Sequence, residues 1–246
     1  MYYFIYDSIA QSPEHAKEIA KIENRLLDFG IKDRIVKISP LKSVRDAVAE
    51  AYKHKFNTVV SIGGDGLFLS AVTYLIGYPL ALGMIPLGKD SLIASILEMQ
   101  VGSLACDSIS ARKLQEFTVG RIDDRFFFSS CVLKGVRSME VDSMFTITAS
   151  KNSTVKLINN SVHVSDFERS KQRNGRFTIV VNQQESGFLS KKREKNSIFF
   201  GKSVRITQGG DFSATVDNLS PTKQCSLISI HPEPIKCITG KTLGFR

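Results

Sequence analysis

Ser61-Ile62-Gly63-Gly64-Asp65-Gly66 is the stretch whose residue types and spacing speak most directly of chemistry. An apolar run precedes it and a helix-forming run follows. Glycines let a backbone approach a ligand closely, and free N–H groups at a helix start can hold phosphate oxygens. Asp65 falls at the rim of such a loop, where a carboxylate can accept from a ribose hydroxyl or hold Mg²⁺ through water. The same residues also suit a plain strand-to-helix turn with Asp65 as the cap. The spacing is neither the Walker pattern nor the dinucleotide fingerprint. A second glycine turn, Gly83-Met84-Ile85-Pro86-Leu87-Gly88, follows at the end of the next apolar run. No Ser-His-Asp arrangement or metal-ligand spacing accompanies these turns, so no bound metal site is expected, and the four histidines read as surface or capping residues.

The elements that must position both turns alternate. Tyr2 to Tyr6 reads as a strand, and Ser12-Pro13-Glu14 opens a helix with Ser12 as N-cap, ended by Gly30. Arg34 to Ile38 is a strand and Ser43 to Lys55 a helix. Asn57 to Ile62 is a strand apolar at consecutive positions, as a parallel strand covered on both faces requires. A helix from about Leu67 to Ile76, a strand from Leu80 to Ile85 and a helix from Ser91 to Gln100 complete the pattern. Alternation with short connections predicts a parallel sheet with helices on both faces, and ligands of such sheets bind beyond the carboxyl ends of the strands. Both glycine turns fall at that edge.

Beyond about residue 115 helical periods give way to short strands. These are Phe117–Val119, Arg125–Val132, Met144–Ala149, Thr154–Ile158, Arg176–Val181, Ser197–Phe200, Val204–Thr207, Ser213–Val216, Leu227–Ile230 and Ile235–Ile238. Asn159-Asn160, Asn174-Gly175 and Gly209-Gly210 read as the turns between them. The expected architecture is an α+β two-domain chain. An α/β parallel-sheet domain over residues 1–115, whose glycine turns suit a phosphate-bearing ligand, is followed by an all-β sandwich over 116–246.

Composition fits a globular protein, with 42% apolar and 23% charged residues. No apolar run reaches the roughly 18 residues a membrane helix needs, and the N-terminus lacks the basic region of a secretory signal. Four dispersed cysteines suit a reduced, cytoplasmic protein. The net charge of +9 is uneven: residues 1–115 hold 13 basic and 12 acidic side chains, and residues 116–246 hold 20 and 12. The second half is therefore drawn to anionic partners. Phe126-Phe127-Phe128 reads as core, and the Lys191–Lys195 run as a solvated loop that could touch an anionic membrane. No nucleic-acid-binding module accompanies the basic residues, so nucleic acid is not an expected partner.

Together, Val59-Val60-Ser61-Ile62-Gly63-Gly64-Asp65-Gly66 and Leu82-Gly83-Met84-Ile85-Pro86-Leu87-Gly88 resemble the catalytic domain of the diacylglycerol and sphingosine kinase family. NAD kinases of the same superfamily are more distantly similar. The family pattern is a GGDGT loop, then a strand ending in PLGTGND, and near the end a segment DGE that Ala214-Thr215-Val216-Asp217 resembles. The resemblance implies an α/β domain followed by a β-sandwich, with ATP and Mg²⁺ as cofactors. It implies transfer of the γ-phosphoryl group to a lipid hydroxyl by a cytoplasmic protein, peripheral at most at an anionic membrane. It places nucleotide against Gly63, Gly64, Asp65, Gly66, Pro86, Leu87, Gly88, Lys89 and Asp90, with Asp65 and Asp217 as catalytic acids.

The sequence departs from that pattern. Leu67 stands where the family has Thr, Lys89-Asp90-Ser91-Leu92 where it has Thr-Gly-Asn-Asp, and Asn218-Leu219 where it has Gly-Glu. Lys89 could supply a cation at the phosphates, and Asp90 a displaced carboxylate. The alternative implied by the losses is a pseudo-kinase, binding nucleotide or lipid without turnover. An NAD kinase is disfavoured because the Asn-Glu pair of that family is missing after the second glycine turn.

Overall fold

The computed structural model describes residues 1–31, 34–150, 153–161, 175–185, 193–218, 222–223 and 225–240. The chain forms two compact units. One is Met1–Phe117 together with the segment beginning at Glu233; the other is Thr118–Pro232.

The first unit begins with β1 (Tyr2–Tyr6), α1 (Ala16–Asp28), β2 (Arg34–Lys37), α2 (Val44–Lys53), β3 (Thr58–Gly63), α3 (Asp65–Leu75) and β4 (Ala81–Pro86). It continues with α4 (Leu92–Ile96), α5 (Ala105–Ala111) and β5 (Leu114–Phe117). Every residue of β3 and β4 is buried, which is why their sequences are apolar without alternation. Helix α1 starts later than Ser12 suggests. Pro13–His15 forms a 3-10 turn first, and Ser12 makes no side-chain cap. Its end follows the glycine: Gly30 takes φ +69°, Ile31 N–H donates to the Leu26 carbonyl and Gly30 N–H to Leu27, a Schellman motif. Ser43 and Asp46 cap α2 reciprocally. The helix expected over Ser91–Gln100 is only α4, because Glu98 turns left-handed at φ +55°. Helix α5 has no counterpart in the sequence reading.

The sheet order is β2-β1-β3-β4-β16-β5, where β16 is Ile235–Ile238. This corrects the expected assignment of that strand to the β domain. β16 pairs parallel to β4, Lys236 with Ala81 and Cys237 with Leu82, and antiparallel to β5. Its short apolar run fits either sheet, and only long-range pairing chooses.

The second unit contains β6 (Gly120–Ile122), β7 (Arg125–Phe127), β8 (Ser130–Val141), β9 (Phe145–Thr148), β10 (Thr154–Ile158) and β11 (Phe177–Glu185). It closes with β12 (Arg193–Gly201), β13 (Ser203–Val216), β14 (Thr222–Lys223) and β15 (Leu227–Ile230). The order is β12-β11-β10-β8-β13-β15-β6-β7, with β14 on β13 and β9 on β8. Strands β7 and β11 are distant in that order, yet Phe127 stacks on Phe177 at 5.7 Å between ring centroids. The sheet therefore folds over itself and encloses a core that includes Leu133, Val155, Ile179, Val204 and Ile228. β13 is one strand rather than the two expected: Gly209-Gly210 falls within register shifts against β8, a bulge rather than a turn.

Candidate functional site

The two glycine corners meet. Gly63 ends β3 in register with Pro86 of β4, and Leu87 N–H donates to the Gly63 carbonyl at 3.2 Å. Because the strands are parallel, both loops leave the sheet at the carboxyl edge. Gly64 is the N-cap of α3 and brings no side-chain cap to its amides. A Cβ added at Gly66 or at Gly88 would meet nothing within 4 Å, so both glycines face open space.

Asp65 ties one corner to the other. Its carboxylate accepts from the Ser91 hydroxyl, from Leu92 N–H at 3.0 Å and from Ile93 N–H at 3.4 Å. Ser91 in turn accepts from Ala94 N–H at 2.9 Å. Asp65 is thus a cap, of α4 rather than of the helix it begins. Ser91 is one of the residues replacing the Thr-Gly-Asn-Asp of the family pattern, and its serine at a helix start is the signal that reveals this role. Lys89 and Asp90 are exposed on the intervening turn. Leu87 is buried, and so is Leu67, whose side chain packs into the unit with 6% exposure where a hydroxyl was expected.

Asp7, which the sequence reading did not single out, completes the loop. It follows β1, the parallel neighbour of β3. Its carboxylate accepts from Ser8 N–H at 2.6 Å, from the Ser8 hydroxyl at 3.1 Å and from Gly64 N–H at 3.5 Å. Gly63 has φ +154°, and a Cβ there would overlap Asp7 Cβ and lie 3.0 Å from Asp7 Oδ2. An acid directly after a buried strand beside the glycine-loop strand is the sequence signal for it.

Asp217 lies in the second unit at φ +48°, with 9% exposure. Its Oδ1 accepts from Ser129 N–H at 2.6 Å, the Ser129 hydroxyl at 2.7 Å and Ser130 N–H at 3.1 Å; Oδ2 accepts from Phe128 N–H at 2.7 Å. Asp217 N–H donates back to the Ser130 carbonyl at 2.8 Å. Beside it, buried Asn159 bonds the Thr118 and Phe128 carbonyls and the Thr118 hydroxyl. The resemblance implies a catalytic role for this acid; its hydrogen bonds make it a brace for the start of β8. Phe127 and Phe128 are core as expected, and Phe126 packs edge-on against His231 at 5.4 Å.

Leu219, His163, Lys191 and Lys192 lie outside the described residues, as do the side chains of residues 193–195. Among the described residues no three His, Cys, Asp or Glu side chains gather as a metal site. The four cysteines are buried and free. Burial raises the thiols of Cys106 and Cys225 to about 11 and those of Cys131 and Cys237 further still.

A parallel α/β unit followed by an antiparallel β unit is also the fold of solved bacterial proteins. A diacylglycerol kinase structure from Bacillus anthracis str. Sterne superposes with a TM-score of 0.77 at 15% identity, covering 99% of this chain and 98% of that one. A second structure from that organism, described as a candidate diacylglycerol kinase, gives 0.74 at 14% identity, covering 97% of each chain. At such identities the likeness establishes the fold. A search of curated sequences finds no match. The diacylglycerol kinase catalytic domain family matches residues 1–122, and that part of the chain belongs to it.

Proposed function

We propose that this protein is a lipid kinase-like phosphotransferase that passes the γ-phosphoryl group of ATP to a lipid hydroxyl. The observation that carries the reading is the hydrogen-bonded pair of glycine corners, with Gly66 and Gly88 both open to an approaching ligand. Backbone amides of Gly63, Gly64, Asp65 and Gly66 serve the phosphates from one side; Pro86, Leu87, Gly88, Lys89 and Asp90 close the other. Magnesium arrives on the nucleotide as part of the substrate. Asp65 already serves three donors, so its contribution is to hold the two loops in register. In the reaction the lipid oxygen bonds to the γ-phosphorus, the bond to the β–γ bridging oxygen breaks, and ADP leaves while the hydroxyl proton passes to solvent. The second unit, with its basic excess, is assigned the lipid and a peripheral encounter with an anionic cytoplasmic membrane face. No helix among the described residues is long and apolar enough to cross a membrane.

A thermal melt tests nucleotide binding. Millimolar ATP with Mg²⁺ raises the melting temperature, because a ligand bound only by the folded state stabilises it. Transfer of labelled phosphate to a panel of lipid alcohols then tests the reaction. An unmoved melt refutes the nucleotide site.

A second reading has its own support. Buried Leu67 offers no hydroxyl, and Asp217 already accepts four hydrogen bonds from residues 128–130. Both favour a pseudo-kinase that binds nucleotide or lipid without turnover. Binding with no transfer to any lipid, and transfer restored by Leu67→Thr with Leu219→Glu, selects this reading.

A further inference from the structure

The amides of the glycine loop are already approached by an anion that belongs to the chain. Asp7 Oδ2 lies 3.5 Å from Gly64 N and at 3.0 Å from the Cβ that Gly63 lacks. The carboxylate therefore rests over the Gly63–Gly64 peptide, on the loop that the proposed function gives to phosphate. The fit is built in from both sides. Gly63 leaves room for Asp7, and Ser8 fixes the other carboxylate oxygen through its N–H and hydroxyl. The contact to Gly64 is long, so an incoming phosphate oxygen can displace it. Within the segments that form the two corners the sequence carries the acids Asp7, Asp65 and Asp90 and the lysine Lys89.

We infer that Asp7 is an internal anion that competes with nucleotide phosphate for the glycine loop and so sets the affinity and charge selectivity of the site. The inference rests on the nucleotide-binding reading above. A triphosphate entering must bring its negative charge alongside the carboxylate or push it aside, whereas an uncharged nucleoside meets no such barrier. A unit charge about 4 Å from another, near a protein surface, is worth roughly tenfold or more in affinity. The opposite arrangement, Asp7 accepting from a ligand hydroxyl, predicts the opposite sign.

Calorimetric titration of the full chain with ATP and Mg²⁺, and separately with adenosine, decides the matter for the wild type, Asp7→Asn and Asp7→Ala. Asp7→Asn keeps the acceptor for Ser8 and removes the charge. It is expected to tighten ATP about tenfold and leave adenosine unchanged, with Asp7→Ala moving the same way. Circular dichroism and urea midpoints confirm that each variant is folded, and Asp7→Ala carries the test if Asp7→Asn is not. ATP bound equally well or less well by the variants than by the wild type overturns the inference and leaves the nucleotide site standing. Equal tightening of ATP and adenosine also overturns it, because charge is then not the cause. ATP bound by neither wild type nor variants removes the inference together with the reading beneath it.

Discussion

Replacing Gly63 with alanine tests the packing that brings the first loop together. The added methyl has two penalties. At φ +154° a residue with a side chain is strained, for about 1–3 kcal/mol, and the new Cβ collides with Asp7 Cβ, which is the rigid base of a side chain rather than its flexible end. Overpacking of that kind adds roughly 1–3 kcal/mol, so the total loss is about 2–6 kcal/mol. All six tyrosines, residues 2, 3, 6, 52, 74 and 78, lie in the first unit and the chain has no tryptophan, so tyrosine emission follows that unit's unfolding in urea. The expected midpoint falls by about 1 M or more. In an Asp7→Gly background the collision partner is gone, and the same substitution then retains only the backbone penalty of roughly 1–3 kcal/mol. Gly66→Ala is the control: it sits within α3 with open space around it and is neutral or stabilises by up to about 1 kcal/mol. A Gly63→Ala midpoint indistinguishable from wild type, or an equal loss in both backgrounds, refutes the close approach of Asp7 to the loop.

Other perturbations probe the rest of the molecule. Asp217→Ala strands buried donors on Phe128, Ser129 and Ser130 and is expected to destabilise the second unit by about 3–5 kcal/mol, less for Asp217→Asn; a loss below about 1 kcal/mol by far-UV dichroism in urea refutes the brace. At pH 8 the four thiols of the native protein react with a disulfide reagent far more slowly than in urea, because burial holds them protonated, with Cys106 and Cys225 pushed up to about 11; rapid native labelling of all four contradicts this. The Lys42 hydrogen bond, then the charges of Lys42 and Arg34, hold the Glu50 carboxyl below its ordinary value. A depressed folded-state value means the contribution is complete above the ordinary value of 4.5 and is lost as pH falls through the folded one. Glu50→Gln should therefore flatten the acid side of the stability profile, and an unchanged profile counts against the pairing.

Local chemistry settled a good part of this protein before any long-range contact. The unbroken apolar runs of β3 and β4 announce strands covered on both faces, Ser43 and Asp46 announce a capped helix, and the Gly-Gly-Asp-Gly loop announces a backbone turn suited to close approach. These are signals that a residue carries with its immediate neighbours, through periodicity, dihedral freedom or hydrogen bonding a few positions away. Tertiary structure decided what depends on residues distant in sequence. Ile235–Ile238 joined the parallel sheet because β4 and β5 left a place between them. Val204–Thr207 and Ser213–Val216 became one strand because β8 pairs with both across a bulge. Asp65 capped α4, Asp7 came over Gly63, and Asp217 gathered four donors from residues 128–130. An acid in a sequence has many possible donors, and the folded backbone selects among them by bringing particular amides within hydrogen-bonding reach.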